Sequence, residues 1–290
     1  MINHSWMLLP SGRRLDLLNP HPSAWTDADL ASRLSRTFRW CSDTSWERSL
    51  SVAQHSLAVL HLRLASTPAP LSAAERLREL LHDAEEGLTH YDVPTPLKPL
   101  LGPAYHAMIL NLRGCIERRY NLPIWKQADY EDHKIADQQA AANEARHIVG
   151  WSETEICALG IHLIPHEHDL LPGQAGLKPW EPWPPELAAR LFHEQLDQLQ
   201  LEMLETSSDA EIVAEMPSEL NHDHNIDLTR PSQPTLVRVD GHGGAIEGKV
   251  VNGVRTEDGK WDLDDVFLVE TTEGERFSVH GWNCITEVVR

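Results

Sequence analysis

Four side chains carry the chemistry that this sequence offers: His55 in SVAQHSLAVL, the adjacent pair His82 and Asp83 in LLHDAEEGL, and Asp137 in KIADQQAAANEA. Each falls in a stretch of helical periodicity whose other face is apolar, so each is able to point toward a shared centre. Neighbouring helix positions differ by about 100° in azimuth, so His82 and Asp83 meet at one ion only if it sits at the edge of their helix, with His55 and Asp137 arriving from two other helices. Two imidazoles and two carboxylates suit a divalent ion such as cobalt, manganese, iron or zinc better than a thiol-loving one, and leave positions open for water. One at a time these residues are ordinary. Lone histidines in helical bundles are commonly satisfied by a carbonyl, and His-Asp dipeptides arise by chance; the combination is what reads as a ligand set.

Glu86 follows His82 by four and Asp83 by three, which puts it on the same helical face one turn further on. A carboxylate there that is not itself a ligand is placed to take a proton from an attacking water or give one to a leaving oxygen. The plain alternative is a solvated surface glutamate, which is the reading of its neighbour Glu85. An ion in the cluster would lower the pKa of water and stabilise negative charge on a phosphoryl group, chemistry that fits phosphoester or phosphoanhydride hydrolysis. Upstream, Arg39 and Trp40 close the stretch LASRLSRTF. A guanidinium fork fits phosphate oxygens, although Arg39 could equally interact with a helix C-terminus and Trp40 could pack in the core. Lys98, at the end of DVPTPLK, is a candidate second phosphate contact. A rival group, His162, His166, His168 and Asp169 in IHLIPHEHDLLPG, is flanked by Pro165 and Pro172, cannot lie on one helix, and reads as a solvated loop.

The elements that must hold these residues are helical. Apolar positions recur at helical spacing from Val52 through Leu64 up to Pro68, and further helices are expected at about 27–38, 72–88, 103–120, 127–150 and 184–206. Thr26 with Asp29, and Ser72 with Glu75, have the capping-box arrangement. Pro94, Pro96 and Pro99 break the chain after the third helix. Residues 207–234 read as an acidic linker: positions 201–230 hold eight carboxylates against Arg230 alone. Beyond Pro234 the pattern turns to short β stretches, TLVRV, AIEGKVV, VFLVET, RFSVH and CITEV, separated by turn residues. Among them GHGG reads as a hairpin turn rather than a phosphate loop, and Trp261, Phe267, Phe277 and Trp282 read as the core of a small barrel or half-barrel.

Here the sequence resembles the HD-domain phosphohydrolases, whose H…HD…D pattern matches His55, His82, Asp83 and Asp137 in order. More narrowly it resembles the bacterial and phage HD-domain 5′-deoxynucleotidases, through Arg39-Trp40 ahead of SVAQHS, then LHDAEEGL, DVPTPLK and the ADQ segment of a later helix, over roughly residues 10–200. The resemblance implies an all-α HD-domain helical bundle over residues 1–206, with a small C-terminal β-barrel-like module over 235–290. It implies one divalent metal ion (cobalt, manganese, iron, zinc or magnesium) on the four ligands, an acid/base role for Glu86, phosphate contact by Arg39, and packing of Trp40 on the nucleoside. Asp92 is a candidate acceptor for a sugar hydroxyl, although GLTHY between Glu86 and Asp92 is one residue longer than the family's usual spacing. The expected activity is release of orthophosphate from deoxynucleoside 5′-monophosphates. Removal of triphosphate from a deoxynucleoside triphosphate, and a catalytically silent nucleotide sensor, are the alternatives.

Composition bounds the rest. The chain has 290 residues, 44 acidic against 25 basic side chains and a net charge of −19, which argues against long nucleic acid as a partner, because phosphate neutralisation supplies most of that affinity. No apolar run approaches the ~20 residues of a membrane span, and Arg13 and Arg14 follow rather than precede the apolar patch Trp6–Leu9, so a cytoplasmic protein is expected. Cysteines 41, 115, 157 and 284 are too far apart for a disulfide scaffold or a thiolate zinc knuckle. The expected partner is the nucleotide substrate; a homo-oligomer and a partner for the β module stay open.

Overall fold

The computed structural model describes residues 5–158 and 160–214 and five C-terminal strands, with side chains as far as residue 206. Two compact units divide the chain, Met1–Pro217 and Ser218–Arg290. The first is helical. After a short antiparallel hairpin, β1 (Trp6–Leu8) and β2 (Arg14–Asp16), come α1 (Asp27–Leu34), α2 (Val52–Ser66), α3 (Ala73–Leu80), α4 (Ala84–Thr89), α5 (Gly102–Tyr120), α6 (Gln127–Glu144), α7 (Glu153–Ala158) and α8 (Pro185–Ala214). No helix among the described residues is long and apolar enough to cross a membrane.

Both expected capping boxes form. Thr26 accepts from the Asp29 N–H at 3.0 Å while Asp29 accepts from the Thr26 N–H at 2.9 Å, and Ser72 and Glu75 exchange the same pair at 3.2 and 2.8 Å. The main core gathers Trp25, Leu30 and Leu34 with Leu77 and Leu80 of α3, Leu112 of α5, and Phe192, Leu196 and Leu199 of α8. A second cluster joins α2 and α6 through Ala58, Val59 and Leu62 against Ala136 and Ala140. Alanines on the facing side of α6 let its backbone approach α2, which brings Asp137 and Glu144 up to His55.

Four expected helices have different bounds. The first ends at Leu34 rather than 38. The stretch expected as one helix over 72–88 is two, because the chain breaks at 81–83, where Leu81 and Asp83 leave helical geometry (φ −97°, ψ 11° and φ −113°, ψ 23°). Asp83 followed by Glu85 and Glu86 in the first turn of α4 is itself a helix-start pattern, with negative charge at the positive end of the dipole. Leu80, Leu81 and Ala84, all buried, fix the corner. α6 leaves α-helical geometry at Glu144 and ends in one π-helical turn, Ala145–Val149, closed by Gly150 at φ 93°. A π turn inserts one extra residue and re-aims the chain beyond it, a device common at functional sites.

At the other end, α8 runs to Ala214, so the first residues of the stretch read as linker are helical. In the second unit, strands β3 (Leu236–Gly241), β4 (Gly244–Asn252), β5 (Val266–Thr271), β6 (Arg276–His280) and β7 (Ile285–Val289) pair antiparallel in the order β6-β5-β4-β3-β7. Gly241 pairs with Gly244 in the β3–β4 register, and the two residues of GHGG between them lie outside the described residues. Trp261, Phe267, Phe277 and Trp282 lie outside the residues whose side chains are described.

Candidate metal centre

His55 is held at the start of α2, whose first turn is capped by Ser51, and its imidazole is fully buried. His82 and Asp83 come from the α3–α4 corner, free of the 100° constraint that a continuous helix would have imposed. Asp137 comes from the middle of α6. Their atoms converge: His55 Nε2 lies 3.3 Å from His82 Nε2, 3.4 Å from Asp137 Oδ1 and 3.6 Å from Asp83 Oδ2, and His82 Nε2 lies 3.2 Å from Asp83 Oδ2. Donor atoms of His55, His82 and Asp137 are all within 4.8 Å of one another. With metal–ligand bonds of about 2.1 Å, neighbouring donors stand roughly 3.0 to 3.4 Å apart, so His55, His82 and Asp137 are close enough together that they could hold one ion.

Each imidazole is oriented from behind. His55 Nδ1 lies 2.6 Å from Glu144 Oε1, and His82 Nδ1 lies 2.8 Å from the main-chain oxygen of Glu79, which leaves both Nε2 atoms facing the centre. Outer partners of this kind fix the tautomer and the ring plane of metal-binding histidines. A further layer supports His82: the His133 ring packs 4.8 Å from it, edge on, and donates toward Glu79 Oε2 at 2.8 Å, while Glu79 Oε1 takes Arg63 Nε at 2.9 Å.

The carboxylates of the cluster outweigh its burial and favour positive charge at its centre. Burial and Arg39 work against a charged His55, but Glu144 and Asp137 outweigh them and push the imidazole up to about 9. Burial alone would raise Asp83 and Asp137, yet the two imidazoles hold both far below the ordinary carboxylate range, so both are ionised. Lys134, three residues before Asp137, pairs with its other oxygen at 2.5 Å.

Glu86 sits in the first turn of α4, 6% exposed. Burial, reinforced by the charges of Asp83, Asp92 and Glu85, raises its carboxyl well above the usual range. Its Oε1 is 3.6 Å from Lys98 Nζ, and its Oε2 is buried without a partner. Glu85, read as a solvated neighbour, is instead buried and ion-paired to Arg113 at 2.5 Å, so α4 turns Glu85 toward α5 rather than to solvent. Asp92 is half-buried, and its charge acts on both Arg39 and Glu86. Lys98 is half-exposed, its side chain 41% accessible.

Arg39 and Trp40 are drawn into the same site through Glu144. Arg39 Nε and Trp40 Nε1 both donate to Glu144 Oε2 at 2.9 Å, and Arg39 NH1 lies 3.7 Å from Asp83 Oδ2. Burial works against the Arg39 charge, but Glu144, Asp92 and Asp83 outweigh it and raise the guanidinium further. Trp40, Cys41 and Ser42 all have left-handed backbone (φ 57°, 53° and 69°), the kind of strain that tertiary structure sustains beside functional sites.

All nine sequence-derived site residues thus lie in or around one centre. Glu144, His133 and Lys134 complete it and were not singled out from the sequence. The available signal was spacing on α6: Glu144 follows Asp137 by seven and Lys134 precedes it by three, all on one helical face. His162, His166, His168 and Asp169 take no part. The first three are exposed, His162 lies beside Cys157, and Asp169 accepts the Trp180 N–H in a loop that lines a small cavity together with His55 and Glu144.

No family model matches the chain. It is 36% identical over 155 residues to a protein of Rhodobacter capsulatus described as uncharacterized, the match covering 53% of this chain and 78% of that protein.

Proposed function

The chain belongs to the family of that uncharacterized Rhodobacter capsulatus protein, and from its site we propose an HD-type, metal-dependent phosphohydrolase that cleaves the phosphate ester of deoxynucleoside 5′-monophosphates. The observation that carries this reading is the convergence of four ligand atoms beside a buried carboxyl with an unpartnered oxygen. His55, His82, Asp83 and Asp137 would hold the ion. An ion of this class supplies Lewis-acid stabilisation of phosphoryl charge and makes water a competent nucleophile near neutral pH.

The remaining roles belong to the protein. With Nε committed to Glu144 and NH1 3.7 Å from Asp83 Oδ2, the terminal nitrogens of Arg39 would supply a fork that fits phosphate oxygens. Glu86 keeps a proton at pH values where an ordinary glutamate has lost it, so it is able to deliver that proton to the ester oxygen as the bond breaks. Lys98 would give a second phosphate contact, and Asp92 would accept a sugar hydroxyl. An HD-type bundle and a barrel form for the C-terminal sheet belong to the same proposal.

The supply of cations favours one phosphate. Arg113 and Arg119, which folding could have brought to the pocket, are engaged by Glu85 and Asp27. One observation favours the alternative, release of triphosphate from a deoxynucleoside triphosphate: Lys134 adds a third cation next to Asp137. The test is incubation with deoxynucleoside mono-, di- and triphosphates in cobalt or manganese, with orthophosphate and inorganic triphosphate measured separately. Orthophosphate from monophosphates supports the proposal. Triphosphate from one deoxynucleoside triphosphate replaces it, and tight nucleotide binding with no hydrolysis in any metal makes the protein a sensor.

A further inference from the structure

The two imidazoles of the cluster are oriented by different means. His82 is held by main chain, whereas His55 is held by the Glu144 side chain, and the same carboxylate also takes Arg39 and Trp40. An ionised carboxylate has about four acceptor positions, of which three are filled here by donors from three directions. Glu144 is 5% exposed, and burial is offset by Arg39 and His55 so that its carboxyl titrates at about 2. It stands at the last α-helical residue of α6, where the π turn begins, so its position is set by the helix that also carries Asp137.

We propose that Glu144 is a positioning residue that couples the ion-binding side of the site to the Arg39–Trp40 pair: one carboxylate sets the His55 ring plane with Oε1 and the two phosphate-side donors with Oε2. This rests on the reading of the four-residue cluster as ion-binding. It goes beyond that reading because it makes Trp40, whose indole N–H is directed at Glu144 rather than at any of the four ligands, a determinant of metal affinity. Trp40 is the cleaner reporter of the pair. Arg39 reaches Asp83 directly, whereas the hydrogen bond of the Trp40 indole runs to Glu144.

The experiment is titration of the full chain with Mn²⁺ alone, no nucleotide present, by calorimetry or electron paramagnetic resonance. Wild type, His55→Ala, Glu144→Ala, Glu144→Gln, Trp40→Phe and the Trp40→Phe/Glu144→Ala pair are compared. Glu144→Ala is expected to weaken Mn²⁺ binding about 10- to 100-fold with the stoichiometry unchanged, the usual cost of removing such an outer partner. Trp40→Phe, which keeps the ring and removes only the N–H, is expected to weaken it about threefold in wild type and not at all in the Glu144→Ala background, since coupled residues fail to add. Glu144→Gln serves if the alanine variant does not fold: its amide retains one acceptor oxygen, so its Mn²⁺ affinity should fall between those of wild type and His55→Ala. Wild-type affinity in folded Glu144→Ala or Glu144→Gln, or an equal effect of Trp40→Phe in both backgrounds, overturns the coupling and leaves the metal site standing. Absence of Mn²⁺ binding by the wild type overturns the metal reading and the coupling together.

Discussion

Lys98 Nζ lies 3.6 Å from Glu86 Oε1, while the other oxygen of the same carboxyl is buried with nothing to accept from. One weak, half-exposed partner does not compensate for burial next to Asp83 and Asp92, which is why the Glu86 proton is retained. The consequence for stability has a definite sign. In the unfolded chain Glu86 ionises near 4.5, and in the folded chain it does so well above that. Between the two values the folded state holds a proton that the unfolded state has released, so stability falls as pH rises through that window. Glu86→Gln removes this penalty. In chelator-treated protein its melting temperature should exceed that of wild type at pH 8 and approach it at pH 5, while turnover falls by about 10²-fold or more. Melts of both proteins at the two pH values check it; parallel pH dependence would show that Glu86 does not hold its proton.

Loss of a ligand should look different from loss of the acid. Asp137→Ala takes away one donor oxygen of the cluster and strands Lys134, so bound metal and turnover should both disappear, whereas Glu86→Ala should keep its metal and lose turnover. Elemental analysis of the two purified variants separates them. Full metal content in Asp137→Ala would remove that residue from the ligand set.

Gly87 is the close-packing point that sets the depth of α4. A Cβ there would stand 2.6 Å from Leu34 Cγ of α1, closer than side chains approach, and Arg33 of the same helix donates to the Gly87 and Leu88 carbonyls at 2.8 and 3.3 Å. Gly87→Ala must therefore push α4 away from α1 and carry Glu86 with it. An expected destabilisation of about 1–3 kcal/mol, read by urea unfolding, should come with a turnover loss larger than partial unfolding explains. A fully stable, fully active Gly87→Ala would mean that Leu34 rotates aside at little cost.

How much of this could be read in advance depended on how local each signal was. The capping boxes at Thr26 and Ser72 are four-residue patterns, and both formed as expected. The β stretches of the C-terminal unit announced themselves by alternation and turn residues, and all five became strands. Helix interruption was harder. LLHDAEEGL keeps helical periodicity straight through the corner at 81–83, and only the Asp-Ala-Glu-Glu start pattern marks the second helix. Periodicity likewise carried 127–150 past the point where α6 turns into a π turn, because the same residue types suit either form. The four residues of the cluster were legible because histidine and aspartate are conspicuous on apolar helices. Glu144 was not, since a glutamate at the end of QQAAANE looks solvated until α2 and α6 close over it through Ala136 and Ala140. Glu85 misled for the converse reason: its partner Arg113 is 28 positions away, and nothing nearby in sequence reveals the pair.

Arg39 offers the sharpest separation between binding a phosphate and shaping the site. Its Nε is fixed to Glu144, so only the terminal nitrogens would remain for a phosphate, and NH1, 3.7 Å from Asp83 Oδ2, lies at the edge of the cluster. Arg39→Ala should lower kcat/KM by about 30-fold, roughly the 2 kcal/mol of a lost charge-assisted contact, mostly through KM if the contact exists equally in the bound and transition states. Arg39→Lys should recover little of it. An ammonium supplies a point charge but not a side nitrogen for Glu144 together with a two-pronged grip on phosphate, so the lysine has to abandon one partner to reach the other. Steady-state kinetics of both variants, run beside their Mn²⁺ titrations, decide the matter. Full rescue by lysine would reduce Arg39 to a source of charge, and an unchanged KM in Arg39→Ala would place the phosphate elsewhere in the pocket.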